Sequence, residues 1–308
     1  MAIKAATTTA YIIAARRTAL GRVGGLHRTR RLEALTSPLI EAVLADARLG
    51  PERVDEIVLG NASAGGNPAR MVALAAGLPD RVAAATIDRQ CGSGLDAILH
   101  AVRLITAGEA QVIVAGGAES LSTAPWRIAK PKSIYQMPHF IGAEPSIDQS
   151  GGDQHLLEAS EALARSLGIS RERQDGHALA SHQRAEAARE ARRFVGEIVP
   201  LKVSAEESRD QGLGEIDAEE LENMAPILSE DGTLTAGNTS AINDGAALVV
   251  VVGEAVWNEL DRPPALRLVA SSAAGVGPGE GAAAPIIAVK KLYGRLNGFD
   301  VGSIGVVE

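Results

Sequence analysis

Cysteine is nearly absent from this sequence. Cys91 is the only one in 308 residues, which excludes an internal disulfide and is typical of proteins from a reducing compartment. The N-terminal residues lack a long apolar stretch with a cleavage-like site, so no signal peptide is predicted. These absences together predict a cytoplasmic protein.

Aromatic residues, long apolar runs and excess positive charge are also lacking. Aromatic residues make up 3% of the chain, so Ala, Val, Leu and Ile must build the core. No apolar run approaches the roughly 20 residues of a transmembrane helix. The net charge of −8 disfavours nucleic acid or an anionic membrane as a partner, although a helix N-terminus can still bind a small anion.

Strands and helices alternate over the first 120 residues. Period and composition predict strands at 10–15, 57–59, 83–87 and 112–115, and helices at 32–49, 69–76 and 94–107. Glycines follow most of these segments. This alternation predicts a layered α/β domain.

The middle of the chain is less regular. Residues 121–156 show no clear period and contain four prolines and three aromatics, which favours a packed, functional loop over a plain surface excursion. Residues 157–195 have helical composition, and Ser170 is a good N-cap within them. The continuous apolar run at residues 247–252 predicts a fully buried strand.

The last segment echoes the first. Residues 265–275 predict a strand and residues 283–296 a helix. The sequence KLYGRLNGFDVGSIGVVE (291–308) then follows the pattern of LADARLGPERVDEIVLGN (44–61): a helix end, a turn, Val-x-x-Ile and an apolar strand. The match is short enough for coincidence, but a true match marks a duplicated α/β unit. This pattern fits three cases: the chain is a fragment, another polypeptide completes the second unit, or the second unit has been lost.

Cys91 follows the predicted strand 83–87 and stands at the start of a predicted helix. The helix macrodipole favours a thiolate there, and Gly92 and Gly94 leave room for a substrate. Gly116 and Gly117 end the next strand and lie nearby if adjacent strands pair. Since a lone cysteine is more often an inert buried residue, position alone leaves both roles open.

Four segments resemble the thiolase family, in the family's order and with its approximate spacing. The nucleophile segment of thiolases resembles DRQCGSGLDAIL followed by VIVAGGAESLS, and their Asn-rich loop resembles TAGNTSAINDGAALVVV. Their first strand resembles YIIAARRTALGRVGGLHR, and the helix after their substrate loop resembles GISRERQDGHALASHQRAEAA. The resemblance extends from about residue 10 to the last residue.

The resemblance implies an α/β fold of duplicated units in five layers (α/β/α/β/α), with an incomplete second unit and an inserted loop domain. Residues 1–120 and 241–264 would form the N-terminal α/β domain, and residues 121–240 the loop domain for CoA binding. Residues 265–308 would start the C-terminal domain. Thiolases are usually dimers or tetramers, so we expect a homo-oligomer.

The resemblance also implies the chemistry. Thiolases cleave a 3-ketoacyl-CoA with CoA, or condense two acyl-CoA molecules in the reverse Claisen reaction, through an acyl-cysteine intermediate. By position Cys91 is that nucleophile, and its backbone N–H helps to hold a thioester oxyanion. Coenzyme A and acyl-CoA are then substrates, and no permanently bound cofactor or metal is expected. Fatty acid metabolism is the expected setting.

Positions that contact CoA carry over from the family as His155, Met224, Leu228, Ala236 and Ser240. The last four would contact or line the path of the pantetheine arm. His155 matches the histidine of a His-Met-Gly segment, but Leu156 and Leu157 replace the Met and Gly. An exposed loop histidine without a role fits this position equally well.

Three catalytic groups of the family have no match in residues 1–308. Thiolases place an asparagine of an Asn-Glu-Ala-Phe segment, a Gly-His-Pro histidine and a second cysteine after a strand like SIGVVE. None of the six histidines here stands in a Gly-His-Pro context, and a basic residue near the CoA phosphates is replaced at about Leu213. The sequence therefore predicts an acyl-accepting thiol without its base or its second acid/base.

Three functional hypotheses follow. The chain is a thiolase whose C-terminal part is missing or comes from a separate chain, a catalytically incomplete acyl-CoA-binding or assembly subunit of thiolase descent, or a decarboxylating or synthase relative. TAGNTSAINDGA and AGGAESLS favour a thiolase over a ketoacyl synthase. The intact CGSG favours an enzyme, whereas HLLE and the missing basic residue favour the binding subunit.

Overall fold

The computed structural model describes residues 8–141, 156–201, 206–213, 216–277, 279–296 and 298–307. The chain forms two compact units. The first contains residues 1–125, 184–215 and 241–268, and the second contains residues 126–183, 216–240 and 269–308. The division into three domains that the resemblance implies stays a prediction.

The regular elements of the described residues follow in chain order. The strands are β1 Ala10–Arg17, β2 Gly21–Arg22, β3 Glu56–Gly60, β4 Ala83–Ile87, β5 Val112–Glu119 and β6 Asn243–Gly253. The helices are α1 Leu32–Ala47, α2 Pro68–Ala75, α3 Ser93–Ala107, α4 Leu156–Ser166, α5 Arg171–Glu190, α6 Ala218–Asn223, α7 Glu254–Glu259 and α8 Ala284–Tyr293. Short 3-10 turns are at Pro51–Arg53, Arg193–Gly196, Glu206–Ser208, Gly281–Ala283 and Val301–Ser303.

One mixed sheet organises the first unit. Its strands lie in the order β1-β6-β5-β3-β4, and β2 pairs with β6. Strand β3 is parallel to β4 and β5, whereas β6 is antiparallel to β5 and β1. The carboxyl ends of β1, β3, β4 and β5 therefore share one edge of the sheet with the amino end of β6.

Helices cover both faces of this sheet because successive side chains of each strand point to opposite faces and both sets are apolar. Ile57 and Leu59 pack with α1 and α2, while Val58 between them packs with α3. The core on the first face includes Leu35, Leu39, Val43, Val72, Val114, Leu248 and Val250. On the second face it includes Ala97, Ala101, Ile105, Ile113, Ala115 and Val251. The predicted α/β fold class is confirmed.

The second unit holds its loops with buried polar groups. Glu161 of α4 is 6% exposed and accepts hydrogen bonds from the backbone N–H of Thr233 at 2.9 Å and of Leu234 at 3.1 Å. Asp175 of α5 accepts a bond from Asn238 Nδ2 at 2.8 Å. These bonds fix residues 233–238, which explains the asparagine of the TAGN turn in structural terms.

The predicted strands in the last segment are wrong. Leu266 makes an isolated bridge with Ile12, and no strand forms in the described residues from 269 to 307. The predicted helix at 283–296 is confirmed as α8. Val306 and Val307 are 84% and 83% exposed, because a strand needs hydrogen-bonded neighbours and this segment has none within the described ranges.

The packed loop expected at residues 121–156 is also not observed in its described part. Trp126, Tyr135 and Phe140 are 83%, 91% and 66% exposed. The segment instead pairs with itself, through a bridge between Ile128 and Phe140 and an edge-to-face contact of Trp126 with Phe140 at 5.5 Å between ring centroids.

Among the described helices, none combines the length and apolarity needed to cross a bilayer.

Candidate active site

Cys91 lies between β4 and α3, at the carboxyl edge of the parallel strands. Strand β4 ends at Ile87, α3 begins at Ser93, and Gly92 is its N-cap. The Cys91 thiol is exposed. The predicted position of Cys91 at the end of a strand and the start of a helix is therefore correct, and this thiol is not an inert core residue.

The turn before Cys91 has a left-handed backbone. Gln90 adopts a φ of 50°, and its N–H donates to Asp88 Oδ1 at 3.0 Å. The Ser93 hydroxyl accepts a hydrogen bond from the Arg89 N–H at 2.7 Å and donates one to the Gln90 carbonyl at 2.6 Å. The chain around the thiol is thus fixed by short polar contacts rather than by apolar packing.

Glycines bring the start of α3 against the sheet. A Cβ at Gly60 of β3 would lie 2.3 Å from the Ser93 carbonyl carbon, and one at Gly117 of β5 would lie 2.9 Å from the Gly94 Cα. Real Cβ atoms cannot approach so closely, so each position requires glycine. Two strands and one helix terminus can meet at this point only because these side chains are absent.

A cavity of about 280 Å³ opens at this edge of the sheet. Its wall comes from five separate segments of the first unit. The lining residues are Arg17, Leu20, Gly60, Gln90, Cys91, Ser93, Gly94, Gly117, Ala118, Glu119, Asn243, Gly245, Ala246 and Ala247. Clefts at the carboxyl ends of parallel strands are the usual ligand sites of α/β folds.

Two charged residues of the cavity wall, Arg17 and Glu119, make hydrogen bonds to other residues of the chain. Arg17 pairs with Asp210 through two bonds of 2.7 and 3.0 Å, and Glu197 lies 3.2 Å from it. Burial lowers the pKa of Arg17, but both carboxylates raise it by more, so its net pKa lies above the usual value. Glu119 accepts bonds from the Ala62 N–H at 2.5 Å and the Ser63 hydroxyl.

No histidine lines the described wall of this cavity. His27, a buried histidine of the first unit, is 1% exposed, bonds the Ala19 carbonyl at 2.7 Å and is not part of the wall. The described residues also contain no group of three or more His, Cys, Asp or Glu side chains suited to a metal ion. The wall therefore supplies a thiol with a polar rim and no imidazole beside it.

Comparison with known families identifies this arrangement. Residues 10–255 match the family model described as "Thiolase, N-terminal domain". The chain belongs to the thiolase family.

Individual thiolases are similar over almost the whole chain. An acetyl-CoA acetyltransferase of Allochromatium vinosum is 37% identical, covering 96% of this chain and 79% of that protein. One of Thiocystis violacea is 36% identical, covering 88% and 72%. The crystal structure of the Bacillus anthracis acetyl-CoA acetyltransferase superposes with a TM-score of 0.89 at 32% identity, covering 97% of this chain and 79% of the other.

The predicted CoA positions of this thiolase lie together in its second unit, where they are described. Met224 follows α6, and its sulfur would lie 2.6 Å from a Cβ at Gly237. The segment with Leu228 and the segment with Ala236 are joined by the bridge between Pro226 and Thr235. Leu228, Ala236 and Ser240 are exposed. His155 lies outside the described residues, and the roles of all five stay predictions.

Sequence reasoning did not assign a site role to five polar residues of the cavity wall, which are Arg17, Gln90, Ser93, Glu119 and Asn243. Arg17, Glu119 and Asn243 each stand in one of the segments that resemble thiolases, and that membership was the available signal. Their convergence depends on β6, which pairs with β1 and β5 across more than a hundred residues of sequence. Hydrophobic periodicity and turn residues do not reveal such pairing.

Proposed function

We propose that this chain is an acyl-CoA C-acyltransferase that carries the acyl group on Cys91. The observation that carries the proposal is an exposed thiol in a cavity wall at the carboxyl edge of the sheet, in a chain of the thiolase family. The names of the relatives support acetyl-CoA as a substrate. Coenzyme A and acyl-CoA are substrates here, not resident cofactors.

In the proposed degradative direction, the Cys91 thiolate attacks the ketone carbon of a 3-ketoacyl-CoA. The bond between that carbon and the neighbouring α-carbon then breaks, the α-carbon takes up a proton from water, acetyl-CoA leaves, and the acyl group stays on sulfur. Free CoA loses its thiol proton to water, and its sulfur attacks this thioester and releases acyl-CoA and the Cys91 thiolate. The biosynthetic direction is the same sequence in reverse.

Residues at the start of α3 support the charge that develops in these steps. We propose that the Cys91 backbone N–H, at the N-terminal end of the helix, helps to hold the thioester oxyanion. In the second unit, Met224, Leu228, Ala236 and Ser240 would contact the pantetheine arm, with His155 as a further contact. The bonds of Glu161 and Asp175 hold the loop at residues 233–238.

Proton transfer limits what the described residues can do alone. No histidine lines the described cavity wall, and residues 1–308 contain one cysteine. A thiol can still react slowly without a base. We therefore propose acylation of Cys91 as the half-reaction of these residues, with rapid turnover dependent on groups from a further segment or a separate chain.

The experiment is a thiolysis assay with acetoacetyl-CoA and CoA, beside a Cys91→Ala control. We expect little turnover by residues 1–308 but slow acetyl transfer from acetyl-CoA to Cys91, detected by peptide mass spectrometry. Turnover that depends on Cys91 at ordinary enzyme rates, on the order of 1 per second or more, would show that the described residues suffice.

The second candidate is a catalytically incomplete subunit that binds acyl-CoA or assists assembly. The wall without a histidine favours it. Such a subunit binds acyl-CoA with a measurable heat in calorimetry, yet leaves Cys91 unlabelled after long incubation. Labelling of Cys91 by acetyl-CoA rules this candidate out.

Self-association belongs to the same proposal. In the sheet that the described residues form, β4 is an outer strand with its one neighbour in β3, and an outer strand of this kind can pair with a second chain. Light scattering coupled to gel filtration tests this. A monomer at micromolar concentration would argue against the homo-oligomer, and a second mass component after co-expression would reveal a separate completing chain.

A further inference from the structure

We propose that Ser93 is the positioning residue for Cys91, acting through the backbone of the turn that precedes the thiol. The inference deepens the proposed function and rests on it, since it assigns the group that holds the nucleophile in its reactive place. Ser93 is the first residue of α3 and, unlike the exposed Cys91, it is 3% exposed.

The Ser93 hydroxyl joins the two residues that precede Cys91. It accepts a bond of 2.7 Å from the Arg89 N–H and donates one of 2.6 Å to the Gln90 carbonyl. The hydroxyl proton is therefore used on the backbone and is not available to a substrate. A side chain bonded in this way fixes the path of the chain into Cys91.

The turn needs such support because its backbone is strained. Gln90 has a φ of 50°, a left-handed conformation that is unfavourable for a residue with a Cβ. Gln90 directly precedes Cys91, so its backbone angle helps to set the direction in which the chain enters Cys91. If Gln90 relaxes to an ordinary negative φ, the thiol leaves its place beside the first turn of α3.

Other contacts of the turn are more exposed. Gln90 N–H bonds the Asp88 carboxylate at 3.0 Å, but both residues are exposed. Arg89 pairs with Asp96 at 2.6 Å, and its side chain is 59% exposed. Since water can replace exposed partners at little cost, the buried hydroxyl of Ser93 is the contact whose loss matters most.

The first test is the rate at which iodoacetamide alkylates Cys91 in Ser93→Ala, followed by mass spectrometry at one fixed pH. In this reaction the thiolate sulfur displaces iodide, so it reports the state of the thiol without any acyl-CoA. We expect the rate constant to fall about tenfold, an effect of the size expected when a buried hydroxyl and its two hydrogen bonds are removed.

Thr36→Ala is the matched control. Its buried hydroxyl also donates to a backbone carbonyl, that of Leu32 at 2.7 Å, but it belongs to α1 and does not line the cavity. This variant should lose stability without a change in the alkylation rate. An equal fall in both variants would reduce Ser93 to a general contribution to folding and overturn the proposal.

A double-mutant cycle separates backbone support from any direct role of the hydroxyl. Glycine adopts a positive φ without cost, so Gln90→Gly should remove most of the loss caused by Ser93→Ala. An undiminished loss in the Gln90→Gly background contradicts support through the turn. If Ser93→Ala does not fold, Gln90→Val replaces it, since a β-branched residue disfavours the same turn and should slow alkylation with Ser93 intact.

The two proposals fail in different ways. Unchanged alkylation in both Ser93→Ala and Gln90→Val overturns the role of Ser93, whatever acetyl-CoA does. Absence of acetyl labelling in the unaltered protein, with the alkylation differences present, overturns the proposed acyl transfer and leaves the positioning of a reactive thiol in place.

Discussion

Two segments of this protein have nearly the same apolar pattern and opposite environments. Val54, Ile57 and Leu59 are 0%, 3% and 2% exposed, and the last two lie in β3 between β4 and β5. At the corresponding positions of the last segment, Val301 and Val306 are 56% and 84% exposed, Ile304 is half-buried, and none of the three belongs to a strand.

The difference teaches that an apolar pattern encodes the capacity for burial, not burial itself. Residues 56–60 gain a hydrogen-bonded neighbour on each side and a helix on each face. Residues 304–307 have no strand neighbour within the described ranges. Because backbone bonds and apolar contacts form together in a sheet, a strand without neighbours obtains neither.

The largest expected effect comes from truncating corresponding side chains in the two segments. Leu59→Ala should lower the free energy of unfolding by about 2–5 kcal/mol, because it leaves a cavity between β3 and the helices. Val306→Ala should change it by less than about 0.5 kcal/mol. Denaturation followed by circular dichroism, which reports on the helices of both units, measures both. Similar losses would refute the contrast.

A second pair of variants compares the effect of adding a Cβ at two glycines, Gly60 and Gly305. Gly60→Ala should cost about 1–3 kcal/mol, because its Cβ meets the start of α3, and it should slow alkylation of Cys91. A Cβ at Gly305 meets no atom within 4 Å, so Gly305→Ala should alter neither quantity. Alkylation that is unaffected in Gly60→Ala would mean that the close approach of β3 does not place the thiol.

A smaller effect tests the bonds that Glu161 makes in the second unit. Glu161→Gln should cost about 1–2 kcal/mol, because the amide replaces one accepting oxygen of a buried carboxylate by a donor. Glu158→Gln changes the same charge at an exposed position of α4 and should cost little. Thermal unfolding by circular dichroism compares the two, and equal losses would show that charge rather than the Thr233 bonds matters.

The same carboxylate predicts a dependence on pH. Burial raises the pKa of Glu161, but the bonds from Thr233 and Leu234 lower it by more, so its net pKa lies below the usual value. Its contribution is therefore complete above about pH 4.3, the usual glutamate pKa, and is lost as the pH falls through the lower folded-state pKa. The stability difference between Glu161→Gln and the unaltered protein should shrink over that acidic range.

Much of the first unit could be predicted from sequence because its signals are local. Strand β4 has the predicted bounds, and α3 differs from its prediction by one residue. Strand β5 is longer than predicted. It continues through Gly116 and Gly117, because these glycines permit contact with Ala247 and Gly94 rather than ending the strand.

The pairing of strands that are distant in the sequence could not be predicted. The wall around Cys91 depends on the pairing of β6 with β1 and β5, which places Arg17, Glu119 and Asn243 at one edge. The strand predicted at the end of 291–308 fails for the same reason, since its pattern was sound and its neighbours are absent from the described residues. The strand predicted at 265–275 is reduced to one bridge, between Leu266 and Ile12.

The most direct test of the account is acetyl transfer to Cys91. Residues 1–308 are incubated with acetyl-CoA and the peptide containing Cys91 is examined by mass spectrometry, with Cys91→Ala as the blank and iodoacetamide as proof that the thiol is reachable. The account predicts one acetyl group on Cys91, formed slowly and released by added CoA as acetyl-CoA. A thiol that iodoacetamide alkylates but acetyl-CoA never labels would contradict it.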